Sequence, residues 1–194
     1  MKTTKIITLI AIVILAISCK KEKQNDVNID EKTVNISINA GLSGKDTVID
    51  IDGDGYYEYN LYSNFPGGNN SNAQIGINSY ATGNFDLEFS TEVQGVINEI
   101  TKLFPENSEI NASTGTWKAD AIFYFYDAGI STAKLGFNDV GDKYIGVRYR
   151  NRMISTTDYY YGWMKVNVSN QHNVSIKGFA FQKQKNTAIN AGAI

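Results

Sequence analysis

Phe85-Asp86-Leu87-Glu88-Phe89 decides the fold. Apolar and charged side chains alternate with a period of two, so an extended chain puts Phe85, Leu87 and Phe89 on one face and Asp86 and Glu88 on the other. The same alternation recurs at Val34, Ile36 and Ile38, at Ile75 and Ile77, at Ile145, Val147 and Tyr149, and at Met164, Val166 and Val168. Each is a strand with one buried and one wet face. Turn-rich pieces at 66–72, 111–115 and 138–142 separate them. Ala121-Ile122-Phe123-Tyr124-Phe125-Tyr126 is more continuously apolar and reads as a central strand. The expected fold is mainly β, an antiparallel β-sandwich or jelly roll.

One stretch departs from the alternation. Val93, Val96, Ile97, Ile100, Leu103 and Phe104 follow helical spacing, and Pro105 would end a helix. Residues 91–104 are therefore expected to form one short helix against a sheet. A bent strand and loop is the alternative, and Gly95 speaks for it.

At the amino end, two lysines precede the apolar run Ile6 to Ile17, which is too short to span a bilayer and suits the core of a secretory signal. The run leads to the chain's one cysteine in Leu15-Ala16-Ile17-Ser18-Cys19. This stretch resembles the lipobox of bacterial lipoproteins. The resemblance implies that residues 1–18 are removed and that Cys19 is acylated on sulfur and on its new amino group. Several acyl chains hold a protein stably on a membrane. Lys20-Lys21-Glu22-Lys23-Gln24-Asn25-Asp26 follows, too polar to bury apolar surface. Residues 19–31 are read as a lipidated flexible tether, and 32–194 as one domain. With a single cysteine, no disulfide forms within the chain. The net charge of −2 and the lack of a basic patch with interleaved aromatics leave nucleic acid without a docking surface.

Asp50-Ile51-Asp52-Gly53-Asp54-Gly55-Tyr56-Tyr57-Glu58 is the second informative stretch. Calcium takes six to eight oxygen ligands, so a short loop must turn several carboxylates inward. Asp50, Asp52 and Asp54 supply three side chains, the Tyr56 carbonyl a fourth oxygen, and Glu58 a ligand acting through water. Two carboxylates about 4 Å apart repel by roughly 4 kcal/mol at an effective dielectric of about 20, so a bare turn is a poor reason for this crowding. Leu61 stands where an EF-hand has its bidentate glutamate. The stretch instead resembles the D-x-D-x-D-G-x-x-[DE] loops between strands of bacterial extracellular proteins, which implies a structural Ca²⁺.

Further along come Lys143-Tyr144-Ile145-Gly146-Val147-Arg148-Tyr149, Tyr160-Tyr161-Gly162-Trp163, Gly178-Phe179-Ala180-Phe181 and Thr187-Ala188-Ile189-Asn190-Ala191-Gly192. Their order is similar to that in a loosely defined group of secreted bacterial β-sandwich proteins, which implies the fold and no activity. Gly146 and Gly162 mark places where a strand bends or packs close to another backbone.

Candidate chemistry is sparse. His172 is the chain's one histidine, and no G-x-S-x-G elbow accompanies it, so it reads as a turn residue. Asp86 and Glu88 stand two apart, about 7 Å on a strand, which leaves a retaining glycosidase pair geometrically open. A solvated strand face is the plainer reading, and no residue is assigned a catalytic role. Arg148, Arg150 and Arg152 share one strand face. They would hold an anion, or else pair across strands with Asp86 and Glu88. Tyr159, Tyr160, Tyr161 and Trp163 are the candidates for stacking on a sugar, against the alternative that they fill a core. Together these readings describe a lipid-anchored protein of the cell envelope, at the outer membrane, with a calcium loop and a binding or structural role. A glycan-binding accessory lipoprotein of a polysaccharide-uptake system is the rival, and a jelly-roll glycoside hydrolase the remote one.

Overall fold

The computed structural model describes residues 29–39, 45–50, 55, 57–64, 73–79, 85–94, 98–127, 133–171 and 173–194. The strands are β1 (Ile29–Asn39), β2 (Lys45–Ile49), β3 (Tyr59–Asn64), β4 (Ala73–Ser79), β5 (Phe85–Gln94), β6 (Asn98–Thr101), β7 (Leu103–Phe104) and β8 (Glu109–Ile110). They continue with β9 (Thr116–Lys118), β10 (Asp120–Asp127), β11 (Ala133–Gly136), β12 (Lys143–Asn151), β13 (Tyr160–Ser169), β14 (Asn173–Gln182) and β15 (Ile189–Asn190).

Thirteen strands join in one sheet along the path β1-β14-β13-β12-β5-β6-β10-β4-β3-β2, with β11, β7 and β9 paired beside it on β10, β12 and β5. Pairing is antiparallel apart from one parallel bridge, Ile122 to Ile100, between β10 and β6. The first strand of the path also lies against β2 and β3 at its other end. The sheet therefore curls until its two halves face each other across a shared core, which is the sandwich expected from the sequence.

Period two fills that core. Ile38, Val174, Ile176, Met164, Val166, Val168, Ile145, Val147, Leu87 and Phe89 come from one half, and Phe123, Ile75, Ile77, Leu61, Tyr59 and Ile49 from the other. The Tyr59 and Phe89 rings meet across the layer at 5.2 Å. Ala121 to Tyr126 falls in β10, between β6 and β4, the central position expected for it.

None of the described residues of 91–104 is helical. β5 runs to Gln94, β6 returns from Asn98 with Glu92 opposite Ile100, and β7 pairs with β12. Val93 is 73% exposed while Ile100 is fully buried, so the two do not share an apolar face. The 3–4 spacing arises because a reversal in the chain shifts the period-two pattern out of step. The buried hydroxyls decide between the two structures: Thr91 donates to the Thr116 carbonyl (2.9 Å) and Thr101 to the Ile122 carbonyl (3.0 Å). The domain also begins earlier than residue 32, since Ile29 already pairs with Gln182.

A second apolar layer lies on the outer face of β12, β13 and β14. There Tyr161, Trp163 and Ala180 are covered by Phe104, Ile110, Ile189 and Ala191. The two-stranded ribbon of β8 and β15 forms this cover, pinned by Asn107 N–H to the Ala191 carbonyl (2.8 Å) and Ala191 N–H to the Ser108 carbonyl (2.9 Å). Gly146 is where the cover sits closest: a Cβ there would come within 3.1 Å of the Phe104 ring and of Ser90 Cβ. At Gly162 a Cβ would stand 2.5 Å from the Phe181 ring, so both glycines keep space that any side chain would fill.

Candidate functional site

The outer face of β5, β12 and β13 carries the densest group of charged and aromatic side chains. Antiparallel register sets Arg148 opposite Glu88 and Arg150 opposite Asp86. Alternation turns all four away from the core. Arg148 Nε donates to Glu88 Oε2 at 2.7 Å, and its Nη2 reaches the same oxygen. Arg150 donates through Nε at 2.7 Å and Nη2 at 2.6 Å to Asp86 Oδ2. Arg152 Nε lies 3.1 Å from Asp86 Oδ1. Of the two alternatives for these arginines, cross-strand pairing is the one present.

Aromatic rings close the faces of the guanidinium groups. Arg148 lies 4.7 Å from the Trp117 ring centre and 3.8 Å from that of Tyr159, and Arg150 is 4.8 Å from that of Tyr159. Cations held over aromatic faces are favoured by the ring quadrupole, more so when partly desolvated. Burial pushes the Tyr159 phenol up, and Glu88 adds to the effect against the two arginines. Asp86, by hydrogen bonding, pushes the Arg150 guanidinium further up. The group is a charge-compensated stack. Asp86 and Glu88 serve as counter-charges: both Asp86 oxygens and Glu88 Oε2 contact arginines.

The remaining aromatic candidates do not form an open row. Trp163 is 3% and Tyr161 4% exposed, both under the C-terminal cover. Trp163 Nε1 donates to the Ala193 carbonyl at 3.1 Å, and Tyr161 packs on Trp117 at 5.7 Å. Tyr160 turns to the opposite face and stacks on Tyr149 at 4.9 Å. Neighbours on a strand alternate faces, so Tyr159, Tyr160 and Tyr161 could never share one platform. Trp117 escapes the sequence reading altogether. It stands on a three-residue strand opposite Ser90, with no periodicity to mark it.

The loop that the sequence marks as a calcium candidate joins β2 to β3. Asp52, Asp54 and Tyr56 lie outside the described residues, as does His172. Cys19 lies outside them too. At the loop's ends, Glu58 N–H donates to the Ile49 carbonyl at 2.9 Å, which sets Asp50 and Glu58 side by side on the stem. Gly55 has φ +90° and donates its N–H to Asp50 Oδ2 at 2.9 Å, so the chain folds back over the first carboxylate. A positive φ of that size is open to glycine and strained for other residues. Among the described residues, no three His, Cys, Asp or Glu side chains converge as a metal-binding group.

A shallow depression of about 150 Å³ lies on β1, β13 and β14, lined by Ser37, Asn167, Ser169, Asn173 and Ser175 over Ile38 and Val174. Ligand pockets run to about 300–1,000 Å³, so its size suits a few waters. One of these can satisfy Asn173 Oδ1, which is buried without a protein partner. No family model, curated protein or solved structure matches the chain.

Proposed function

We propose that the protein is a lipid-anchored β-sandwich of the cell envelope, held at the outer membrane through Cys19, with a structural Ca²⁺ in the Asp50–Glu58 loop and a binding or structural role rather than a catalytic one. The observation that carries the calcium reading is the closed stem: Gly55 folded onto Asp50, with Glu58 bonded back to Ile49. That stem sets Asp50 and Glu58 side by side, and the sequence between them adds Asp52, Asp54 and the Tyr56 carbonyl as further oxygen ligands, a concentration of like charge that calls for a divalent cation. The ion would offset half of the loop's four negative charges and fix the β2–β3 connection. The arginine–carboxylate stack favours the structural role, because its charges are satisfied internally.

Thermal melting in EGTA and again in millimolar Ca²⁺ tests the reading. At a tenfold excess over Kd the ion adds about 1.4 kcal/mol, so the wild-type midpoint rises with Ca²⁺ and that of Asp50→Asn does not. Identical wild-type curves, with no heat in a calorimetric titration, remove the calcium.

A further inference from the structure

We infer that the end of the sandwich bearing the β12–β13 loop rests on the bilayer, with Met153 and Ile154 entering the headgroup region. The inference builds on the lipid anchor proposed at Cys19. Met153 and Ile154 are 74% and 83% exposed, the most exposed large apolar side chains among the described residues. Their exposure is imposed by the loop. The Asn151 carbonyl accepts from Ile154 N–H (3.1 Å) and Ser155 N–H (3.0 Å), and Asn151 Oδ1 accepts from Met153 N–H (2.9 Å). Ser155 Oγ accepts from Thr157 and Asp158 N–H, both at 3.2 Å, and Arg150 donates to the Thr156 carbonyl. The backbone polar groups turn inward and two apolar side chains are held outward. Phe85, 41% exposed, stands opposite Asn151 on β5.

The register places the start of the chain at this same end. Ile29 pairs with Gln182, Phe181 with Gly162, Tyr161 with Arg148 and Arg148 with Glu88. Ile29 and Arg148 thus lie on one rung, three strand spacings or about 14 Å apart. Cys19 is ten residues before Ile29. Ten residues of random coil have a root-mean-square reach of about 17 Å, and fully extended they span at most about 35 Å. The opposite end, at the Asn170–Gln171 turn, lies a whole strand further, about 33 Å for the ten residues of β14. Acyl chains on Cys19 therefore favour presenting the β12–β13 loop to the membrane, because the other end lies about twice the root-mean-square reach away. Arg152, Lys183 and Lys185 are exposed around the tip. Lys185 pairs with Asp158 and Arg152 with Asp86. Basic side chains behind an apolar tip suit an interface with anionic headgroups.

The acylated full-length protein, reconstituted in phosphatidylethanolamine–phosphatidylglycerol vesicles carrying nitroxide-labelled lipid, provides the test. With Cys19 acylated, Ile154→Cys supplies one free thiol for an environment-sensitive fluorophore. Val140→Cys, 49% exposed in the native protein and beside β13's far end through the Asp139 N–H bond to Val168, is the control. The expected result is a blue shift and at least twofold stronger lipid quenching at 154 than at 140. Equal quenching at the two positions overturns the inference, as does a blue shift at 154 without lipid quenching, which would mean a protein partner covers the tip. Intact mass is measured first. A chain without acyl groups refutes the lipid anchor itself and the inference with it, whereas an acylated chain with equal quenching refutes the inference alone.

Discussion

Arg148 is bonded to Glu88 and lies over the rings of Trp117 and Tyr159, with a side chain 15% exposed. A charge so enclosed depends on its partner. Glu88→Gln leaves the guanidinium under-compensated and is expected to cost about 1–3 kcal/mol in urea denaturation. Adding Arg148→Met removes the stranded charge, so the double variant should be more stable than the sum of the two singles implies. Simple additivity would mean the stack is held by packing alone. A second residue-scale effect concerns Asp142. Hydrogen bonding from Lys177, with help from Asn167 and Lys165, holds its carboxyl below the usual range. A depressed carboxyl stabilises the fold at pH values above its unfolded pKa, about 3.9, and loses that contribution as pH falls through its lower folded value. Wild type and Asp142→Asn should therefore differ in denaturation midpoint at pH 7 and converge as pH falls through the depressed folded value. A gap that persists in acid would assign the difference to something other than this ionisation.

At the scale of elements, the ribbon of β8 and β15 is the piece most open to a direct trial. It covers Trp163, whose indole N–H reaches Ala193, and it buries Ile110 and Ile189 completely or nearly so. Truncation after Asn186 removes half of the ribbon and bares the outer face of β13. The expected outcome is a red shift in tryptophan emission and a loss of at least about 2 kcal/mol, from Ile189 and the uncovered Trp163 and Ala180. Unchanged emission would mean that the cover does not shield the indole in solution. The elements themselves were legible where alternation ran uninterrupted: β5, β12 and β13 follow from Leu87 and Phe89, Ile145 and Val147, and Met164 to Val168. The stretch from Val93 to Phe104 was misleading because a hairpin and two strand changes fall within twelve residues. The steps between its apolar positions then match a helix while the side chains point in different directions. Strand propensity at Thr91, Val93 and Thr101 was the better guide there.

For the molecule as a whole, the sandwich was legible and the site only in part. The arginine–carboxylate pairing follows from alternation, given two strands side by side. Which strands are neighbours, and which rung meets which, depends on contacts distant in sequence that no local pattern encodes. Trp117 belongs to that class: it meets Arg148 only because β9 docks on β5 and β5 on β12. The three tyrosines at 159–161 are a different case. Their distribution over two faces was implicit in the strand itself, and the buried environment of Tyr161 and Trp163 came from a cover drawn from either side of them in the chain.

The same long-range order governs how the protein is made. β1 leaves the ribosome before every other strand described here, yet its hydrogen-bonding partner is β14, which ends at Gln182. The opening strand must wait, unmatched, until the chain has been extended through Gln182. A nascent chain halted before Asn173 carries an orphan β1 together with a β13 edge that nothing covers, two templates for pairing with a neighbour. Completion of the sheet thus falls on β14: a nonsense codon before Asn173 leaves both β1 and β13 without their partner.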